Sequence, residues 1–220
     1  LAIRETIKNL LGENNLMDDA FYSKALNWIV HEDPLTMNAQ NPLLLQRFIL
    51  AYFYFATTVR GPWLECNPPS VTGGSEVCDH SNYGYANRWL SGARECSWHG
   101  VTCDDAGKIK LLRLDYEGLS GSLPDGLAFL TALRILNLGK NDLTGSIPVA
   151  WFGLPLLRTL ILYGNRITGS ISTEINKFKV LSSLNLGSNL LSGTIPDALW
   201  DLRNLTILDL GKNNLFGTIS

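Results

Sequence analysis

A period of 24 residues runs through the second half of this chain and constrains the fold more than any other feature. Asn141, Asn165, Asn189 and Asn213 stand 24 positions apart, and Gly121, Gly145, Gly169, Gly193 and Gly217 keep the same beat. Leucines frame each asparagine, as Leu133, Leu136 and Leu138 do for Asn141 and Leu157, Leu160 and Leu162 do for Asn165. The pattern continues through Leu181, Leu184 and Leu186 to Leu205, Leu208 and Leu210. A unit this short cannot bury its apolar face alone, so a fixed period predicts a solenoid in which each unit packs on its neighbours. Solenoids present extended surfaces, which points to binding rather than chemistry.

Within each unit the residues read L-x-x-L-x-L-x-x-N-x-L-x-G-x-I-P. Side chains alternate along a strand, so the L-x-L stretch turns its leucines inward and the residues between them outward. The asparagine follows where the chain turns in, and its amide can both donate to and accept from buried backbone groups. The reading is a structural asparagine ladder, with the glycines permitting a bend that a Cβ would obstruct. The second half of the unit reads LSGSLP at 119–124, LTGSIP at 143–148, ITGSIS at 167–172, LSGTIP at 191–196 and LFGTIS at 215–220. The whole pattern is the leucine-rich repeat, and this half resembles the plant-type extracellular version. The resemblance implies a second short sheet beside the concave one and a twist along the solenoid. Ser172 and Ser220 replace the proline, and Glu117 takes the asparagine slot of the first repeat.

Four cysteines precede the repeats: Cys66, Cys78, Cys96 and Cys103. The last two lie in Cys96-Ser97-Trp98-His99-Gly100-Val101-Thr102-Cys103, which resembles the C-x-W-x-G-V-x-C cap of plant-type leucine-rich repeat ectodomains. Four cysteines allow three pairings. The resemblance implies Cys96–Cys103, with the tryptophan packed over the open end of the first repeat, and Cys66–Cys78 as the remaining pair. Zinc is the competing reading, since His80 and His99 are near in sequence, but the spacings fit no common zinc pattern. Two disulfides imply an oxidising compartment: extracellular, cell-surface or secretory. Asn204-Leu205-Thr206 is a glycosylation sequon expected at the exposed mouth of a strand.

The N-terminal part has no repeat. Ile3, Ile7, Leu10 and Leu11 fall at helical spacing with Gly12 as a stop. Asp18 or Asp19 caps a second helix with the stripe Phe21, Ala25, Trp28 and Ile29, ended by Pro34. Asn41-Pro42 opens a third helix that runs to about Thr58. The run from Leu43 to Val59 is apolar, but it is only about as long as the shortest membrane spans and contains Gln46 and Arg47. We read it as a cap helix, with membrane insertion second. Phe53-Tyr54-Phe55-Ala56-Thr57 with Trp63 is most similar to the cap helix of algal, including diatom, proteins. The expected organisation is a helical extension over 1–41, a two-disulfide cap over 42–108 and five repeats over 109–220, the last incomplete. The expected fold is an α/β solenoid, a right-handed superhelix with a helical, disulfide-bonded N-terminal cap. The first two helices either pack on the cap or join it to something upstream. The last strand leaves Leu208, Leu210 and Leu215 at an edge, which predicts further repeats or a covering partner chain.

A net charge of −2 gives no reason to expect nucleic acid. Only His31, His80 and His99 are present, in no catalytic arrangement, and Asp104-Asp105 reads as a hairpin tip. No catalytic residue, metal or cofactor is expected. The outward strand positions are taken to include Lys110, Arg113 and Asp115; Arg134, Asn137 and Lys140; Arg158, Ile161 and Tyr163; Ser182, Ser183 and Asn185; and Thr206, Asp209 and Lys212. Arg113, Arg134 and Arg158 with Tyr116 and Tyr163 are of the types that dominate binding hot spots; Asn137, Ile161, Asn185 and Asp209 complete the candidate face. Gly139, Gly187 and Gly211 flatten it, either for a ligand or for packing. The expected function is recognition of a protein, peptide or glycan. The resemblance implies a receptor-like protein, a receptor kinase ectodomain or a secreted inhibitor of a wall-degrading enzyme. The alternative is a structural subunit of a larger assembly, held by its helical extension and C-terminal edge.

Overall fold

The computed structural model describes residues 2–12, 19–68, 77–80 and 84–217. The cap expected at Asp18 and the departure at Ser220 lie outside the described residues, as does the ring of His80.

The repeats build one six-stranded sheet. β4 (Ile109–Arg113), β6 (Ile135–Asn137), β8 (Thr159–Ile161), β9 (Ser183–Asn185) and β11 (Ile207–Asp209) run parallel in sequence order. The cap closes its first edge with β3 (Val101–Cys103), antiparallel to β4. The β3–β4 turn is the hairpin tip read from Asp104-Asp105: Asp104 Oδ1 accepts from the Ala106 and Lys108 amides. Each short strand buries its central residue, Leu136, Leu160 or Leu184, and half-exposes its neighbours, as the period-two reading requires.

The asparagine ladder is continuous. Asn165 Oδ1 accepts from the Leu143 amide, while its Nδ2 donates to the carbonyls of Leu138 and Leu162. Asn141, Asn189 and Asn213 repeat the arrangement one unit away. Glu117 ends it. A carboxylate can only accept, so it cannot donate to carbonyls as an amide does. His99 of the cap supplies the contact, with Nε2 2.6 Å from Glu117 Oε1 and both side chains buried. The substitution in the first repeat is therefore matched by the cap.

Beyond the ladder the chain turns through the glycine column. Gly121, Gly145, Gly169, Gly193 and Gly217 all have positive φ, between 76° and 105°. The implied second sheet forms in two pieces: β5 (Ser120–Ser122) with β7 (Asp142–Thr144), and β10 (Ser192–Thr194) with β12 (Asn214–Phe216). Between them the Thr168 and Ser192 amides donate to the carbonyls of Gly145 and Gly169. Short 3₁₀ turns complete the repeats at Asp125–Phe129, Val149–Gly153, Thr173–Lys177 and Asp197–Asp201. Pro124, Pro148 and Pro196 precede three of them; Ser172 precedes the other and caps it, its side chain accepting from the Glu174 amide. The missing proline is thus replaced by a capping hydroxyl.

The N-terminal region packs on the first repeats. α1 (Ala2–Leu11) buries Ile7 and Leu11 but leaves Leu10 half-exposed. α2 (Asp19–Asn27) runs into a π-turn at Trp28–Glu32 that the helical pattern did not reveal. α3 (Leu44–Ala56) is nearly all buried and starts slightly later than expected, because Asn41 Oδ1 takes the Leu43 amide in a turn ahead of the helix. No helix among the described residues is long and apolar enough to cross a membrane. Both disulfides, Cys66–Cys78 and Cys96–Cys103, are formed, so none of the four sulfurs is free as a thiolate ligand.

The cap is centred on Arg47, which has no solvent exposure. Its Nε and Nη2 reach the two oxygens of Asp33 at 2.8 and 2.6 Å. Its Nη1 lies 3.4 Å from Glu95, and the Ser91 and Ala93 carbonyls accept its remaining hydrogens. The guanidinium sits between Trp28 and Trp98, 5.2 and 4.7 Å from their rings. Aromatic contacts continue from Trp98 through Trp89 and Trp63 to Phe53. The cap tryptophan of the cysteine motif is thus part of a stack that joins the helices to the first repeat.

Candidate ligand-binding face

The outer face of the six-stranded sheet is set by strand alternation. Leu111 and Arg113 of β4, Ile135 and Asn137 of β6, Thr159 and Ile161 of β8, and Ser183 and Asn185 of β9 flank the buried leucines. Leu111, Ile135, Thr159 and the exposed Ile207 were missing from the sequence reading, although the alternation about Leu112, Leu136, Leu160 and Leu208 implies them.

Lys110, Arg134, Arg158, Ser182 and Thr206 form a second column, one residue before the ladder of outward positions. Their order follows from the register Leu111↔Ile135↔Thr159↔Ser183↔Ile207. The amides of Arg134, Arg158, Ser182 and Thr206 each donate to the carbonyl of the previous member. Neighbouring strands are about 4.8 Å apart, so Lys110, Arg134 and Arg158 place three cations within two strand spacings. Arg134 and Arg158 are exposed, as is Arg113 at the far end of β4.

Three of the candidate residues have local structural partners. Asn137, Asn185 and Asp209 each accept, through a side-chain oxygen, from the amide two residues on: Gly139, Gly187 and Gly211. Asn137 also donates to Asp115. A Cβ on Gly187 would lie 2.8 Å from the Asp209 carboxylate, so the glycine makes room for the next repeat's side chain.

Tyr116, Lys140, Gly164, Ser188 and Lys212 precede the ladder positions, and all have positive φ. They form a third column at the edge of the face. Lys140 Nζ lies 4.5 Å from the centre of the Tyr163 ring. A hydrogen bond with Lys140 and the nearby ammonium lower the phenol's pKa below the usual tyrosine value, with Ser188 and Lys212 adding to the effect. The same bond raises the Lys140 pKa. Tyr163 is therefore already engaged, whereas Tyr116 is 65% exposed.

At the N-terminal end the face meets a cavity of about 550 Å³ between β3, β4 and the β1–β2 hairpin (Val77–His80 and Gly84–Asn87). Val77, Ala86, Trp98, Val101 and Leu111 give its wall an apolar part, Asn87, Ser97, His99 and Thr102 a polar one, and Arg113 stands at the sheet side. No group of His, Cys, Asp or Glu among the described residues could hold a metal ion. Asn204 is exposed, with its Nδ2 donating to the Lys179 carbonyl.

Comparison with known proteins places this architecture. A leucine rich repeat family model matches residues 108–167, and a second matches 180–202. Phytosulfokine receptor 2 of Arabidopsis thaliana is 34% identical over 91 residues, 40% of this chain. The match spans only 8% of that receptor. A chain in the crystal structure of the BIR3–SERK2 complex from Arabidopsis thaliana is 37% identical, with a TM-score of 0.56, over 69% of this chain and 76% of that one. The leucine-rich repeat ectodomain of the receptor kinase GASSHO1/SCHENGEN3 from the same plant, in complex with Casparian strip integrity factor 2, is 35% identical with a TM-score of 0.53. It aligns over 69% of this chain and 17% of its own. The cysteine cap, the asparagine ladder, the second sheet and these relatives agree: the chain belongs to the plant-type extracellular leucine-rich repeat proteins.

Proposed function

We propose that this chain is a recognition module that binds an extracellular peptide or protein through the outer face of its six-stranded sheet. The observation that carries the reading is the basic end of that face. Among the described residues, Lys110, Arg113, Arg134 and Arg158 have no ion pair, whereas Arg47, Arg60 and Arg166 do. Exposed arginines beside apolar residues are what binding hot spots use. Relatives crystallised with a bound partner support the reading, and two disulfides fit an oxidising compartment. Arg113, Arg134, Arg158, Tyr116 and Ile161 are the proposed contacts, with Asn137, Asn185 and Asp209 shaping the floor. Asn204 is the proposed glycan acceptor.

A photo-reactive amino acid placed at Thr159, on the face, and separately at Lys177, on a 3₁₀ turn, tests this in extracellular material from the source organism. Recognition through the face predicts a defined partner from Thr159 and little from Lys177. A constant partner captured from Lys177, or from the half-exposed Leu10 of α1, would instead favour a fixed subunit of a larger assembly.

A further inference from the structure

We infer that the ligand of this face is an acidic peptide with an apolar anchor residue. The anchor enters the cavity between the cap and the first repeat, and carboxylates pair with Lys110, Arg134 and Arg158. The inference rests on the proposed reading of the face and names the chemistry of its ligand.

Two independent features carry it. The first is charge. Lys110, Arg134 and Arg158 each stand one residue before the register Leu111↔Ile135↔Thr159 of three adjacent strands, so the column spans about 10 Å. An extended chain in polyproline form returns to the same face every third residue, also after about 9 Å, so acidic residues three apart match the ends of the column. The acids on this face are engaged elsewhere. Asp115 takes the Asn137 amide, and Asp209, beyond the basic end, takes the Gly211 amide.

The second feature is the cavity. Its volume of about 550 Å³ exceeds what one aromatic or leucine side chain fills, and Trp98, Val101 and Leu111 give its mixed wall an apolar part. It opens beside Arg113 on the same sheet as the column. A polysaccharide, all hydroxyls and ring oxygens, gains less from the apolar part of this wall than a hydrocarbon side chain does. A peptide can place one hydrocarbon side chain there and keep its acids on the column. The pairing of a partly apolar pocket with unpaired cations therefore favours a peptide over a glycan.

The test is isothermal titration of the whole chain at about 0.1 M salt, where surface charges still act over roughly 10 Å. The probe is a short capped peptide with one phenylalanine and glutamates at every third position. Its siblings replace the glutamates by glutamine or the phenylalanine by glycine. The protein variants are Arg134→Gln with Arg158→Gln, and Thr102→Trp, which fills the cavity from an exposed position on β3. All three sites are exposed, and circular dichroism checks that the fold is kept. The expected result is binding by the acidic probe, and weakening by about tenfold or more for the arginine pair, as loss of two charge-assisted hydrogen bonds implies. Thr102→Trp and the glycine sibling weaken binding as well. Equal binding by the glutamine sibling, unchanged binding by either variant, tighter binding of polygalacturonate, or no binding by any probe would each overturn the inference. None of these outcomes bears on cross-linking from Thr159, so the broader reading stands or falls separately.

Discussion

Replacing Arg47 by Met removes the one cation from a buried cluster that holds two carboxylates. Methionine approximates the volume of the arginine stem, so the main loss is electrostatic. Asp33 and Glu95 are 5% and 1% exposed and remain without their cation, and the Ser91 and Ala93 carbonyls lose a donor. Glu95 keeps the amide of Gln46 at 3.0 Å, while Asp33 keeps the Leu35 amide. Removing one member of a buried ion pair costs about 3–5 kcal/mol, and the lost cation–π contacts with Trp28 and Trp98 add to this. At about 2–4 °C per kcal/mol for a domain of this size, the midpoint should fall by roughly 10 °C or more. Thermal unfolding read by tryptophan fluorescence and far-ultraviolet dichroism, disulfides intact, gives the value. The loss should be insensitive to salt, because buried pairs are weakly screened. A double-mutant cycle with Asp33→Asn should recover part of it, since the second change removes an uncompensated charge. A cost below about 1 kcal/mol, or two costs that simply add, would refute the idea that this cluster fastens the helices to the cap.

Three further outcomes follow from the geometry. Asn165→Ala leaves the buried Leu143 amide unpaired and takes one of two donors from the Leu138 and Leu162 carbonyls, which keep Asn141 and Asn189; it should cost about 1–3 kcal/mol, more than Asn213→Ala near the exposed edge, and urea unfolding compares them. Gly100→Ala puts a methyl 2.1 Å from the Arg113 carbonyl at a φ of +75°, so folding yield and midpoint should both drop, whereas Gly153→Ala, with open space, should be tolerated. The Tyr163 phenol should ionise at lower pH than an ordinary tyrosine, because Lys140 bonds it and stabilises the phenolate. In an ultraviolet titration Lys140→Met should shift that ionisation upward, since it removes the bond and the charge that favour the phenolate.

The repeating half of the molecule was legible because a solenoid writes its contacts into one local period. Asn165 bonds to its own repeat and to the one before it, and the same partners recur each 24 residues. The cysteine pairs were legible through the cap motif. What could not be read was specific to single positions. Arg47 looks in sequence like a polar interruption of an apolar helix, and its partners lie 14 and 48 residues away in segments with no period. The pairing of Glu117 with His99 is equally non-local. On the candidate face, spacing alone put Arg134 and Arg158 on the strands, whereas they lie just ahead of β6 and β8. Nor could it tell an asparagine free for ligand from Asn137 or Asn185, because the glycine amide that engages each is found only when the backbone turns it inward.

The claim that the sheet face is the recognition surface can be tested by blocking it. Ile161→Asn with Tyr163→Thr creates a sequon around Leu162 in the middle of the face, and a glycosylating host would then fill it with a sugar chain. Affinity for the partner captured from Thr159, measured by calorimetry on the glycosylated variant and its parent, decides the matter. The account predicts that the glycan abolishes binding while the fold is kept; undiminished affinity would place the partner elsewhere on the molecule.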